Sequence, residues 1–159
     1  MGPESRWRRI GLIVLVWAAV VGWATVIFFL SSQPGDSDPG SGRLRFGPEK
    51  VGHFVVFGTL GIAVANALTT SGLRHHRFWW TFVLCAIYAV TDELHQAFVP
   101  FRTPTVLDLV IDIAGATTGY LAYTWFSLIR VPVPRTADDG PRPPRRPSGP
   151  DVRAKGPSR

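Results

Sequence analysis

The stretch from Ile10 to Leu30, IGLIVLVWAAVVGWATVIFFL, contains no charged residue. A helix of this length is about 31 Å long, which is enough to cross the hydrocarbon core of a bilayer. Arg6, Arg8 and Arg9 precede it, as basic residues precede the apolar core of a secretory signal peptide. Signal-peptide cores are shorter, at roughly 7–15 residues, so we expect a retained membrane span.

Three further apolar segments follow, and together they predict an all-α integral membrane four-helix bundle with short loops. The four spans are expected at about residues 10–30, 51–68, 78–98 and 106–128. Residues 1–9 form a basic N-terminus, and residues 10–128 form the transmembrane domain. Residues 129–159 are rich in Pro and Arg without apolar periodicity, which predicts a disordered tail.

Composition excludes several classes of function. The 159 residues allow one domain, and the single Cys85 excludes an intramolecular disulfide. The net charge of +6 raises the question of nucleic acid, but the basic residues lie mostly outside the apolar runs and no nucleic-acid-binding motif accompanies them. The expected partner is therefore the lipid bilayer, with no nucleic acid and no cofactor.

The distribution of basic residues predicts the orientation in the membrane. If the N-terminus is cytoplasmic, the inside segments hold most of the Lys and Arg residues, chiefly because of the tail. Trp7, Trp79, Trp80 and Trp125 then also lie near the inner interface, where indole rings are enriched. We expect a multi-pass protein of the cell membrane with both termini in the cytoplasm.

This orientation gathers the polar residues of the spans on the outer side. At about 100° per residue, those of the third span share roughly 160° of one helix surface. With neutral histidines, four carboxylates face two cationic side chains, and close like charges there are costly unless paired. The simplest alternative is that these residues only sit in the headgroup zone. The outer set comprises Lys50, His53, Asp92, Glu93, His95, Gln96, Arg102, Asp108 and Asp112.

Several segments of the chain form a recognisable pattern, namely Phe29–Pro34, Lys50–Phe54, Asp92–Pro100, Arg102 and Leu107–Gly115. They resemble the VanZ-like family of small bacterial membrane proteins, and the resemblance covers about residues 10–128. The family usually has Gly between the Pro and the Arg, where this chain has Phe101, and often has Asn at the position of Asp112. The family takes its name from a member associated with resistance to the glycopeptide teicoplanin, so the resemblance implies a role at the cell envelope.

The outer residues leave two functions open, and the first is non-enzymatic. An outward-facing polar pocket would bind a cell-envelope component, such as a lipid-linked precursor, or a glycopeptide. Arg102 and Lys50 suit a phosphate or carboxylate of such a ligand. The candidate binding residues are Lys50, Gln96, Arg102, Asp108 and Asp112.

The alternative is an intramembrane enzyme that acts on a lipid-linked envelope substrate. Glu93 or Asp92 would be the general base, and His95 or His53 the acid or a metal ligand. The spacing Asp92-x-x-His95 is a weak metal signal, since it lacks the His-Glu-x-x-His order of zinc peptidases, and no metal site is predicted. No Ser follows the nucleophile-elbow pattern, which argues against serine hydrolysis.

Overall fold

The computed structural model describes residues 3–34 and 47–129. In these residues the chain forms four α-helices and no strand: α1 (Pro3–Ser31), α2 (Pro48–Thr70), α3 (Arg77–Gln96) and α4 (Val106–Ile129). The prediction of an all-α bundle is confirmed. The prediction of a disordered tail over residues 129–159 falls, beyond Ile129, outside the described residues.

Local sequence signals set the two ends of α2. Pro48 occupies the first turn, where its missing N–H removes no intrahelical bond. At the other end Gly72 adopts the left-handed conformation with a φ of 86°, and Leu73 N donates to the carbonyl of Leu68 at 3.0 Å. This is the Schellman termination, which favours glycine because its positive φ meets no Cβ.

Three of the described helices are long and apolar enough to cross a membrane, namely Glu4–Ser31, Glu49–Thr70 and Val106–Ile129. The shorter α3, with 20 residues, includes Asp92 and Glu93 and is less apolar. Large apolar side chains on α1, such as Leu15 at 66% exposure, face outward from the bundle. Exposed apolar surface of this extent fits a lipid environment, so the protein is a membrane protein.

The core lies around α2, which packs against each of the other three helices. Phe57 of α2 is fully buried and lies near Tyr88 of α3, at 5.9 Å between ring centroids. Tyr88 donates a hydrogen bond to the carbonyl of Ala24 and so ties α3 to α1. The other buried apolar residues of this cluster are Val20, Ile27, Leu60, Val64, Ala67, Leu68, Cys85, Ala89 and Ala116.

Glycines bring α2 and α4 into direct backbone contact. A Cβ at Gly115 would overlap the backbone of Phe54, and a Cβ at Gly119 would overlap the backbone of Gly58. A Cβ at Gly61 would likewise overlap the backbone of Ala116. Small residues permit this approach in membrane bundles, and here the Gly115-x-x-x-Gly119 stripe serves contacts within the chain.

We expect Gly119→Ala to destabilise the bundle, because the new methyl group requires α2 and α4 to move apart. Overpacking of this kind costs about 1–3 kcal/mol. Unfolding of the purified protein in detergent, followed by circular dichroism, measures the loss. Gly52→Ala in α2 is the matched control, since its Cβ would meet no atom within 4 Å. Equal stability of the two variants would contradict the close contact.

Candidate functional site

Polar side chains from all four helices meet at one end of the bundle. They come from the ends of α1 and α3, the first two turns of α2 and α4 and the loop between α3 and α4. These parts meet because α2 and α4 run parallel to each other and opposite to α1 and α3. We call this set the polar cluster. Its members are Ser31, Ser32, Lys50, His53, Asp92, Glu93, His95, Gln96, Arg102, Thr105, Asp108 and Asp112.

One contact in the polar cluster joins α2 to α4 at a fully buried carboxylate. His53 Nδ1 lies 3.0 Å from Oδ1 of Asp112, and Asp112 is completely buried. The His53 ring stacks on Phe57 at 6.5 Å between centroids, with only 8° between the ring planes. The imidazole is thus oriented by a carboxylate on one side and an aromatic ring on the other. Such an orientation is typical of histidines that act in proton transfer or bind metals.

Asp92 is the buried carboxylate that α3 contributes. Its Oδ2 accepts two hydrogen bonds of 2.9 Å, one from the Ser31 hydroxyl and one from the Gln96 amide. Its exposure is 3%. Its other oxygen, Oδ1, has no hydrogen-bond partner among the described residues. Asp92 is therefore fixed through one oxygen while the second is left unbonded in the interior.

An ion pair joins α2 to α4 near the first residues of both helices. Lys50 Nζ bonds Oδ1 of Asp108, about one helical turn above the His53–Asp112 contact. The Thr105 hydroxyl donates to Oδ2 of Asp108 at 2.8 Å and accepts from the Asp108 N–H at 3.2 Å. Thr105 is thereby the N-cap of α4, and Asp108 also suits the positive end of the helix dipole.

Glu93 links the end of α3 to the start of α4. Its Oε2 accepts the backbone N–H of Thr105 at 3.1 Å. In a capping box the backbone N–H of the N-cap residue donates to a Glu or Gln side chain of the same helix. Here the N–H of Thr105 donates to Glu93 of the neighbouring helix instead. The second oxygen, Oε1, is buried and has no partner within the described residues.

His95 and Arg102 lie at the α1 side of the polar cluster. The Ser32 hydroxyl lies 2.9 Å from Nε2 of His95, whose ring packs against Phe28 at 4.3 Å between centroids. Arg102 Nε donates to the backbone carbonyl of Gln33 at 3.2 Å. These contacts fasten the end of α1 to α3 and to the following loop.

All nine residues predicted from the sequence lie in the polar cluster, but sequence reasoning missed three of its hydroxyl groups. Thr105 has a detectable signal, since Thr-x-x-Asp over residues 105–108 is a capping pattern. Ser31 and Ser32 appear in the sequence only as part of the family-like segment before Pro34. Their contacts with α3 depend on the packing of α1, which no local pattern encodes.

One group of side chains has the arrangement of a metal-ligand set. One ligand atom each from His53, Asp92 and Asp112 lies within 4.8 Å of the others. The sequence spacing pointed weakly to His95 as the histidine of such a group, whereas His95 is directed to Ser32. The set therefore joins α2, α3 and α4, and its members are distant in sequence.

A small cavity lies away from the polar cluster, between α3 and α4. Its lining includes Thr81, Cys85, Ala116 and Tyr120 and contains no charged residue. Cys85 is buried there without a basic neighbour in the lining, which is the setting of an unreactive thiol. This cavity is not part of the candidate site.

Phe101 adopts a left-handed backbone conformation in the loop between α3 and α4, with a φ of 61°. This conformation is costly for a residue with a bulky side chain and natural for Gly. Phe101 is the position at which the resembled family usually has Gly. The left-handed conformation of this residue gives a physical reason for a glycine at that position.

We expect Phe101→Gly to stabilise the protein, because a left-handed residue with a Cβ costs about 1–2 kcal/mol. Part of this gain is offset by the greater entropy of Gly in the unfolded chain. The side chain is 69% exposed, so its removal loses little packing. Phe101→Ala is the matched control, since it removes the ring but keeps the Cβ. The melting temperature in detergent should rise for Gly and not for Ala, and equal values would contradict the strain.

The model of a family described as VanZ/LLP1 matches residues 16–127. The match includes the second half of α1, all of α2 and α3 and nearly all of α4. Every residue of the polar cluster lies within the matched segment. Neither the curated proteins nor the solved structures contain a match to this chain.

Proposed function

The chain belongs to the VanZ/LLP1 family, and we propose that it is an envelope-associated membrane protein that binds an envelope component at its polar cluster. The ligand we favour is a lipid-linked envelope precursor or a glycopeptide of the teicoplanin type. The polar cluster lies at a helix end, where a bilayer protein meets the polar headgroups and the solutes beyond them.

The observation that carries this proposal is a set of buried carboxylate oxygens that lack partners among the described residues. They are Oδ1 of Asp92, Oε1 of Glu93 and Oδ2 of Asp112. An unsatisfied buried polar group costs about 1–3 kcal/mol, and more when it is charged. A bundle that keeps three such acceptors at one end is suited to a ligand that supplies donors or positive charge.

Arg102 is the residue we assign to an anionic group of the ligand. Lys50 is engaged by Asp108, whereas the Arg102 guanidinium bonds the Gln33 carbonyl through Nε and is partly exposed. A guanidinium binds phosphate or carboxylate groups through two parallel hydrogen bonds. A ligand with both amino and acidic groups would therefore match the acidic interior of the polar cluster and its basic edge.

Teicoplanin susceptibility of cells that express the protein tests this function. We expect the wild type to lower susceptibility relative to an empty vector, and Asp92→Asn and Arg102→Gln to lose that effect at matched membrane levels. Asp92→Asn keeps the size of the side chain but removes its charge. Glu49→Gln is the control, because Glu49 is exposed at the start of α2 outside the polar cluster.

Two results would contradict the proposal. If the wild type and the empty vector are equally susceptible, the resistance role is wrong. If Asp92→Asn and Arg102→Gln protect as well as the wild type, the polar cluster is not where the activity resides.

We also propose that the polar cluster faces outward and that both termini are cytoplasmic. The count of basic residues on the inner side supports this, because cytoplasmic segments carry an excess of Lys and Arg. Trp7, Trp79, Trp80 and Trp125 are exposed at the opposite end of the bundle, which fits a membrane interface there, and indole rings are enriched at both interfaces.

Cysteine labelling in intact cells tests the orientation. The native Cys85 is buried, so it gives a low background. We expect Thr103→Cys, in the exposed loop before α4, to react with a membrane-impermeant maleimide added outside. His75→Cys, in the exposed turn between α2 and α3, should react only after lysis. The reverse pattern would contradict the orientation.

The contact between His53 and Asp112 favours a second candidate function, an intramembrane enzyme. An imidazole held by a carboxylate at 3.0 Å is an arrangement that general acid–base catalysis uses. If the protein were an enzyme, turnover of a lipid-linked substrate would fall by about 10²–10⁴-fold in His53→Gln. Binding of the substrate without any turnover would favour the non-enzymatic function.

A further inference from the structure

We infer that His53, Asp92 and Asp112 form a binding site for one divalent transition-metal ion, with Zn²⁺ as the best match. This inference goes beyond the proposed function and does not rest on it, since metal binding can be measured without any envelope ligand. The ion would take two of the three unpartnered oxygens, and Oε1 of Glu93 and the Arg102 guanidinium would remain for the envelope ligand. The site would bridge α2, α3 and α4 near the outer end of the bundle.

The geometry of the three side chains is close to that of a ligand set. One ligand atom from each lies within 4.8 Å of the other two. Zinc binds nitrogen and oxygen ligands at about 2.0–2.2 Å, which places the ligand atoms of one ion on the order of 3–4 Å apart. The ligand atoms would therefore need to come closer by on the order of 1 Å to bind one ion.

Two of the three residues are deeply buried, and each has one carboxylate oxygen without a hydrogen bond within the described residues. Asp92 is 3% exposed and Asp112 is 0% exposed. Oδ1 of Asp92 and Oδ2 of Asp112 accept no hydrogen bond within the described residues. A carboxylate is costly to bury in this state unless it is paired or coordinates a metal.

Neighbouring groups hold the candidate ligands as outer-shell residues hold the ligands of metal sites. Ser31 and Gln96 both donate to Oδ2 of Asp92, which leaves Oδ1 as the free oxygen. The Phe57 ring lies nearly parallel to the His53 ring, and Nδ1 of His53 is held 3.0 Å from Oδ1 of Asp112. Orientation of ligands by such second contacts is a regular feature of metal sites.

Charge also favours a divalent ion. Two carboxylates and a neutral imidazole carry two negative charges, and the nearest described ammonium group, that of Lys50, is engaged by Asp108. One divalent cation would neutralise the set. A mixed set of imidazole and carboxylate ligands suits zinc and similar first-row ions, whereas calcium and magnesium prefer oxygen ligands throughout.

Zinc content of the full-length protein tests the site. The protein is purified in detergent, freed of any affinity tag, stripped with EDTA and dialysed against Zn²⁺, and zinc per chain is then measured by mass spectrometry. We expect about one zinc ion per wild-type chain and a rise in melting temperature with Zn²⁺, because a ligand that binds the folded state stabilises it.

Asp112→Asn and His53→Gln are the decisive variants. Each keeps the approximate size of the side chain and a group that can hydrogen-bond but removes the charged or imidazole ligand, and we expect at least about tenfold weaker zinc binding. Two controls should bind zinc like the wild type. His95→Gln removes an imidazole at the same end, and the double change His75→Gln/His76→Gln removes two adjacent exposed imidazoles in the turn before α3.

The wild-type measurement decides the inference even if the ligand variants do not fold. Absence of stoichiometric zinc in the folded wild type would overturn it, and so would unchanged binding in Asp112→Asn and His53→Gln or equal loss in His95→Gln. Zinc binding together with unaltered teicoplanin susceptibility in Asp92→Asn and Arg102→Gln would overturn the proposed function and leave the metal site standing.

Discussion

Direct contact between the backbones of α2 and α4 is the constraint on which the polar cluster depends. Gly58, Gly61, Gly115 and Gly119 leave no side chain between the two helices. Because the helices are parallel and touch, positions one turn apart on α2 face positions one turn apart on α4. Lys50 therefore meets Asp108, and His53 meets Asp112 one turn deeper. Separation of the helices by one layer of side chains would break both contacts.

The polar cluster changes in character with depth. At its upper edge the ion pair of Lys50 and Asp108 balances its own charge, and each partner is still partly exposed. Below it lie Asp92 and Asp112, which are buried and each leave one oxygen without a hydrogen bond within the described residues. A buried carboxylate oxygen in this state is costly, and this cost is the reason for proposing a ligand there.

Hydrogen bonds hold the short loop between α3 and α4 in place at both of its ends. Glu93 bonds the N-cap residue of α4, and Arg102 bonds the backbone at the end of α1. A segment held in this way can keep one residue in an unfavourable conformation, as Phe101 is kept at a positive φ. The loop thereby fixes the register of α4 relative to α3, which places Asp112 beside the carboxylate of Asp92.

The sequence by itself determined the helices, their approximate limits and the end of the bundle at which the charges collect. Long apolar runs with charges near their ends leave few alternatives in a bilayer, because every backbone polar group there must be bonded within a helix. Helical periodicity also placed Asp92, Glu93, His95 and Gln96 on one surface of α3.

Only the tertiary structure decided which charges meet. In the folded bundle His53, and not His95, lies beside the buried carboxylates of Asp92 and Asp112. Ser31 and Ser32 also belong to the polar cluster, through their contacts with Asp92 and His95. The tertiary structure also paired the backbone N–H of Thr105 with Glu93 of α3 rather than with a carboxylate of α4. The physical reason is that periodicity fixes the face of a helix, whereas partners across helices depend on rotation, depth and closeness of packing, which arise only when the helices assemble.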